Sequence, residues 1–131
     1  MKIGLIAGAM ILMVMAVPAS NSVPGKLPNV PTSASRLKNP YAGRLSAAKA
    51  GAALYGSNCS MCHGEDARGS GAALNLRTVT TRAAADGSLF WFITNGDPEK
   101  GMPPFQKLSD EERWQIVTYL KSLSIAKTQH Q

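Results

Sequence analysis

The sequence predicts an all-α fold of three to five short helices, and three observations carry that expectation. Ala47, Gly51, Leu54 and Tyr55 fall at i, i+4, i+7 and i+8, one face of a helix. Ile116, Tyr119, Leu120 and Leu123 form a second apolar stripe after Ser109-x-x-Glu112, a capping-box pattern with acids in its first turn. No alternating apolar strands flank the only two cysteines, Cys59 and Cys62. At 131 residues the chain is one domain with appendages.

Residues 1–19 read as a secretory signal. Lys2 gives a short basic start, Ile3 to Val17 is apolar with only small interruptions, and Val17-Pro18-Ala19 offers small residues for a signal peptidase. The rival is an uncleaved membrane anchor, but the 17 residues from Ile3 to Ala19 sit at the lower edge of a bilayer span and include Gly4, Gly8 and Pro18. Either way the folded part is exported, with the periplasm as the expected location. Residues 20–44 carry Pro24, Pro28, Pro31 and Pro40 among Ser, Asn and Lys, which predicts a flexible, partly extended leader. A solvated spacer is the simpler role for it. A basic arm gripping a partner subunit or an anionic membrane surface is the alternative.

The folded domain is expected over 45–125. Its first helix should start near Ser46, a good N-cap, and run to Tyr55 or Gly56. Gly51 in mid-helix costs up to ~1 kcal/mol against alanine, which close approach of another helix backbone would justify.

Cys59-Ser60-Met61-Cys62-His63 follows, and this stretch points to a cofactor. Two thiols three positions apart, with a histidine directly after the second, form the attachment pattern of a c-type haem. Each thiol bonds one vinyl-bearing corner of the macrocycle, and the histidine offers an imidazole nitrogen to the iron. A disulfide is the competing reading in an exported chain, and a thioredoxin-like pair would need a βαβ context.

Gly64 to Gly71 is small and polar, a loop by composition, after which Leu74 and Leu76 are suited to lining a haem edge. Ser88-Leu89-Phe90-Trp91-Phe92-Ile93 is too aromatic to be exposed and reads as a brief helix closed at Gly96, although periodicity alone also allows a buried strand. Trp91 belongs to the core on this reading, and its indole N–H is a candidate partner for a haem propionate. Asp97 to Phe105 is a loop holding Met102, with Phe105 a further candidate for the haem pocket. Trp114 falls nearly opposite the stripe of the last helix and should cover another surface or be partly exposed. Residues 126–131 are a polar tail.

A second axial ligand is chosen by elimination. Met1, Met10, Met13 and Met15 lie in the signal, and Met61 sits inside the attachment motif. Met102 remains, on a loop stiffened by Pro103 and Pro104. A loop methionine packed on the core is the alternative, and His130 is the next candidate ligand.

The formal charge of +6 does not describe the domain. Between Ser46 and Ile125 eight basic and eight acidic residues cancel, and the excess lies in the signal and tails. Scattered basic residues on an exported chain give no support to nucleic-acid binding.

From Ser46 to Leu123 the chain resembles a class I monohaem cytochrome c, of the small bacterial kind also associated with dehydrogenases and oxidases. Cys59-x-x-Cys62-His63 is the most specific match. Gly51 and Tyr55, eight and four residues before Cys59, match the glycine and aromatic placed where first and last helices cross, with Tyr119-Leu120 on the partner side. Met102 lies 17 residues before Tyr119, a spacing similar to that of the family's axial methionine. In one departure, Ala72 stands where relatives often carry the proline whose carbonyl accepts the histidine N–H.

The resemblance implies a small cytochrome c fold wrapped on one covalent haem c, whose macrocycle completes the marginal core of about eighty residues. The implied function is one-electron transfer by a periplasmic carrier, not an enzyme, with His63 and Met102 as axial iron ligands. Its partners would be redox proteins: a donor dehydrogenase or bc1-type complex, and an acceptor oxidase or reductase. A haem subunit held by an exported dehydrogenase is the main alternative, and an open-site haem protein binding a small ligand is a more distant one.

Overall fold

The computed structural model describes residues 25–70 and 74–123. The proposed signal, residues 20–24 of the leader, Ala72 and the tail with His130 lie outside them. Six α-helical segments follow one another: α1 (Thr32–Ser35), α2 (Leu45–Asn58), α3 (Ser60–His63), α4 (Val79–Ala83), α5 (Asp86–Asn95) and α6 (Asp110–Ser122). Only α2, α5 and α6 exceed a turn or so, and a 3-10 turn, Pro98–Lys100, precedes α6. The described residues hold no strand, so the all-α expectation stands; a lone antiparallel bridge joins Asp97 to Met102.

The organising contact is the crossing of α2 and α6. Gly51 meets α6 so closely that an added Cβ would stand 1.9 Å from the carbonyl oxygen of Gln115, which accounts for a glycine in mid-helix. One turn along, the Tyr55 and Tyr119 rings tilt against each other at 5.3 Å. Both flanks of the capping box form: Ser109 N–H donates to the Glu112 carboxylate at 2.8 Å, and Glu112 N–H donates to Ser109 Oγ at 3.2 Å. Helix α2 departs from expectation at its start. It begins at Leu45 with Arg44 in the N-cap position and no side-chain cap, so Ser46 already lies inside, and it continues to Asn58. Packing on α6 outweighs the missing cap, as tertiary contacts commonly outweigh local preference.

The second departure is the single apolar stripe read for α6, because Trp114, in the first of its two expected roles, covers another surface. Trp114 is 8 % exposed and stacks on Phe90 of α5 at 4.1 Å. A single-stripe reading fails here because α6 is covered on several sides. Helix α2 lies over Gln115 and Ile116, α5 over Arg113 and Trp114, and Lys121 donates to the carbonyls of Arg82 and Ala84 at the end of α4.

The third departure is the arm. Composition predicts a flexible leader over 20–44, yet its described part, 25–44, lies on the domain. Leu27 and Tyr41 pack against the core, and the Asn39 amide donates to Thr118 Oγ1 at 3.0 Å. Carbonyls of Ala34 and Leu37 press on Gly87 of α5. Pro28, Pro31 and Pro40 weaken regular structure, but a few apolar anchors suffice to dock an irregular segment on a ready-made surface.

Candidate functional site

Helix α2 ends at Asn58, and Cys59 bridges it to the single turn α3, which places Cys59, Cys62 and His63 on consecutive turns of chain. Cys59 is half-buried and packs on the core, Cys62 is exposed, and both thiols are unpaired. Burial first, and the neighbouring Cys62 second, push the Cys59 thiol up to about 11, so as a free thiol it stays protonated at neutral pH. Between them Met61 points outward, 92 % exposed.

The turn is fixed from behind by Tyr55. Its hydroxyl donates to the Gly64 carbonyl at 2.8 Å, one residue beyond His63. Burial first of all raises the phenol's pKa and keeps it a donor. The following loop is irregular, as its composition predicts, but pinned. Gly69 N–H donates to the His63 carbonyl at 2.8 Å, Ala67 N–H to Gly64 at 3.1 Å, and Leu76 N–H to Ala67 at 2.8 Å. This brings the carbonyl of Leu74 within 3.0 Å of His63 Nδ1. A carbonyl only accepts, so the proton resides on Nδ1 and the lone pair of Nε2 is left to meet a metal.

Ala72 lies outside the described residues, and among them the carbonyl facing the imidazole belongs to Leu74. The backbone supplies it, so no side-chain signal in the sequence marks the position. The Leu74 side chain is 71 % exposed, whereas Leu76 and Phe105 are half-buried and pack on the core cluster. Trp91 is half-buried edge-on to Phe92, their centroids 5.6 Å apart.

Met102 is half-buried on the loop after α5. Asp97 N–H donates to the Met102 carbonyl at 2.9 Å and Met102 N–H donates back at 3.0 Å. Sequence reasoning credits Pro103 and Pro104 with stiffening this loop and treats Gly96 only as a helix stop. In the fold Gly96 also lies under Met102 and Pro103, and Asp97 is the backbone partner.

Cavities of about 330 Å³ beneath the arm and about 140 Å³ beside Arg44 and Lys121 touch neither the cysteines, His63 nor Met102. Among the described residues no group of three or more His, Cys, Asp or Glu side chains could hold a metal ion. The residues that are present, two unpaired thiols that can bond the vinyl groups and an imidazole whose Nδ1 is engaged by a carbonyl, fit a haem, which needs few protein donors because its macrocycle supplies most of the iron's nitrogens. No helix of the described residues is long and apolar enough to cross a membrane.

Comparison with known proteins places the chain among proteins that carry such a cofactor. The family model described as cytochrome c oxidase, cbb3-type, subunit III, matches residues 46–120. Cytochrome c550 of Pseudomonas aeruginosa is 35% identical over 95 residues, covering 67% of this chain and 63% of that protein, so the chain spans under two thirds of that relative's length. Among solved structures, cytochrome cL of the marine methylotroph Methylophaga aminisulfidivorans MPT aligns with a TM-score of 0.59 at 30% identity, over 66% of this chain and 59% of its own. The KustC0563 c-type cytochrome aligns with a TM-score of 0.52 at 27% identity, over 56% of this chain and 96% of its own. The chain therefore belongs to the c-type cytochromes, in the family described as cytochrome c oxidase, cbb3-type, subunit III, whose members carry electrons on covalently bound haem c.

Proposed function

We propose that this chain passes single electrons between redox proteins outside the cytoplasm, on one haem c bonded to Cys59 and Cys62 and ligated by His63 and Met102. The observation that carries the reading is the 3.0 Å contact of His63 Nδ1 with the Leu74 carbonyl, which engages Nδ1 as the donor and reserves Nε2 for a metal. When bound, haem c supplies an iron that alternates between ferric and ferrous. The chain's part is geometric. Cys59 and Cys62 tether the group, Tyr55 and the pinned loop fix the imidazole, and the Asp97–Met102 bridge presents a thioether. Leu76 and Phe105 offer apolar surface, and Trp91 offers an N–H for a propionate. Held by the His63 nitrogen and the Met102 thioether, the group would have a raised potential and no open position for a substrate.

The test is Met102→Ala in the haem-loaded chain. Expected are loss of the ferric sulfur-to-iron charge-transfer band, ready binding of carbon monoxide by the ferrous form and a lower potential, with haem still covalently held. A variant that keeps the band and excludes carbon monoxide overturns the ligand assignment. An open-site haem protein would instead bind carbon monoxide in the wild type.

The donors and acceptors in this reading are an exported dehydrogenase or bc1-type complex and an oxidase or reductase. The family model's description as an oxidase subunit supports a second form of it, a haem subunit held in a larger oxidoreductase. Purification from the native host separates the two. A free carrier comes away alone, and a subunit stays with its partner.

A further inference from the structure

The loop carrying Met102 is held at three levels, and two of them lie outside the loop. Within it, the Asp97–Met102 backbone pair closes the turn and Lys100 pairs with the Asp97 carboxylate at 3.2 Å. Beneath it sits Gly96, at φ 67°. An added Cβ there would stand 2.4 Å from the Met102 carbonyl oxygen and 2.6 Å from the Pro103 carbonyl carbon. These are backbone atoms, which cannot rotate aside as a side chain can. The stem closes with Phe105 N–H donating to the Ile93 carbonyl at 3.0 Å.

At the base of the stem is Arg113, 8 % exposed. Its guanidinium donates to Thr94 Oγ1 on the last turn of α5, pairs with Asp110, donates to the Ser109 carbonyl and lies 4.9 Å over the Phe90 ring. Burying a cation is unfavourable unless its donors are met, and breaking one partner leaves the charge stranded. Thr94 lies at the end of α5, and Ser109 and Asp110 at the start of α6, the two helix ends between which the Met102 loop is strung; Phe90 lies a turn further back in α5.

We propose that Gly96 and Arg113 are positioning residues for Met102: they fix the two ends and the floor of its loop and thereby set how readily the thioether leaves the iron. The inference rests on Met102 being the second axial ligand. Neither residue touches the cofactor in this proposal. Both act through the backbone of 94–103.

The experiment uses the haem-loaded full chain as wild type, Gly96→Ala, Thr94→Val and Met102→Ala. Thr94→Val removes the oxygen that receives Arg113 while nearly keeping side-chain shape. Temperature is raised while the ferric sulfur-to-iron band and far-ultraviolet circular dichroism are followed together, and carbon monoxide association with the ferrous form is timed. Gly96→Ala and Thr94→Val should lose the band well below the temperature at which the helices melt. Carbon monoxide should bind about tenfold faster, because the sulfur-off state that admits it is more populated. If Gly96→Ala does not fold, Thr94→Val decides. A band that disappears only together with the helices, and carbon monoxide kinetics equal to wild type, would make these residues purely structural and overturn the proposal. Met102→Ala separates the two levels. If it keeps the band, the ligand reading fails and the inference falls with it; if it loses the band while the other variants match wild type, only the positioning role fails.

Discussion

Two glycines face almost the same steric demand and answer to different partners. At Gly51 an added Cβ would stand 1.9 Å from the Gln115 carbonyl oxygen; at Gly87 it would stand 2.1 Å from that of Ala34. The first contact joins the two longest helices, where retreat would part Tyr55 from Tyr119 and open the core around Ile116 and Val117. The second joins α5 to α1, a four-residue turn on the docked arm. The arm is anchored by Leu27, Tyr41 and the Asn39–Thr118 hydrogen bond, and can lift without disturbing the crossing. A contact distance is therefore not an energy. The penalty for violating it is bounded by the easiest way of separating the two surfaces.

The largest expected effect is at the crossing. Gly51→Leu should destabilise by more than the 1–3 kcal/mol typical of overpacking, to the point of losing the fold, because the α6 backbone at Gln115 and Ile116 opposes it, whereas Ala52→Leu should cost about 1 kcal/mol or less. Denaturant midpoints of the haem-loaded proteins measure this, and equal midpoints would show that α2 and α6 do not meet at Gly51.

Gly87→Ala should cost about 1–2 kcal/mol, limited by the free energy of docking the arm. The distinguishing measurement is a double-mutant cycle with Tyr41→Ala. Once the arm is loosened, the Gly87→Ala penalty should shrink, whereas a Gly51→Ala penalty should add in full. Additivity at Gly87 would mean that the arm and α5 are not separable.

The smallest effect is local to α6. Ser109→Ala removes the capping acceptor for Glu112 N–H and should cost about 1 kcal/mol. It should leave the ferric spectrum as in wild type, since the substitution keeps the Ser109 carbonyl that accepts from Arg113. A change in the sulfur-to-iron band would show that the start of α6 reaches the Met102 loop more directly than the Arg113 contacts imply.

The helical character and the capping box were legible in the chain, because each depends on residues within a few positions of one another, whereas the partner of Gly51 in the crossing is Gln115, far along the sequence. Cys59, Cys62 and His63 are joined by covalent spacing alone, and Ser109 with Glu112 by one helical turn. Met102 was singled out by elimination and by its spacing to Tyr119, and what holds its loop was not visible. Gly96 and Asp97 act through backbone atoms, and Arg113 acts on Thr94 from 19 residues away. The Leu74 carbonyl is another case: every residue has one, so composition cannot say which faces the imidazole.

What the sequence determined by itself is thus the chemistry, two thiols and an imidazole at haem-binding spacing, and the helices whose apolar stripes and caps are local. Tertiary structure alone decided that Trp114 is buried, that residues 25–44 lie on the domain, and which backbone groups aim His63 and restrain Met102. The physical reason is range. Periodicity, capping and motif spacing are fixed by neighbours along the chain, whereas burial and backbone partners depend on what covers each face once distant segments have met.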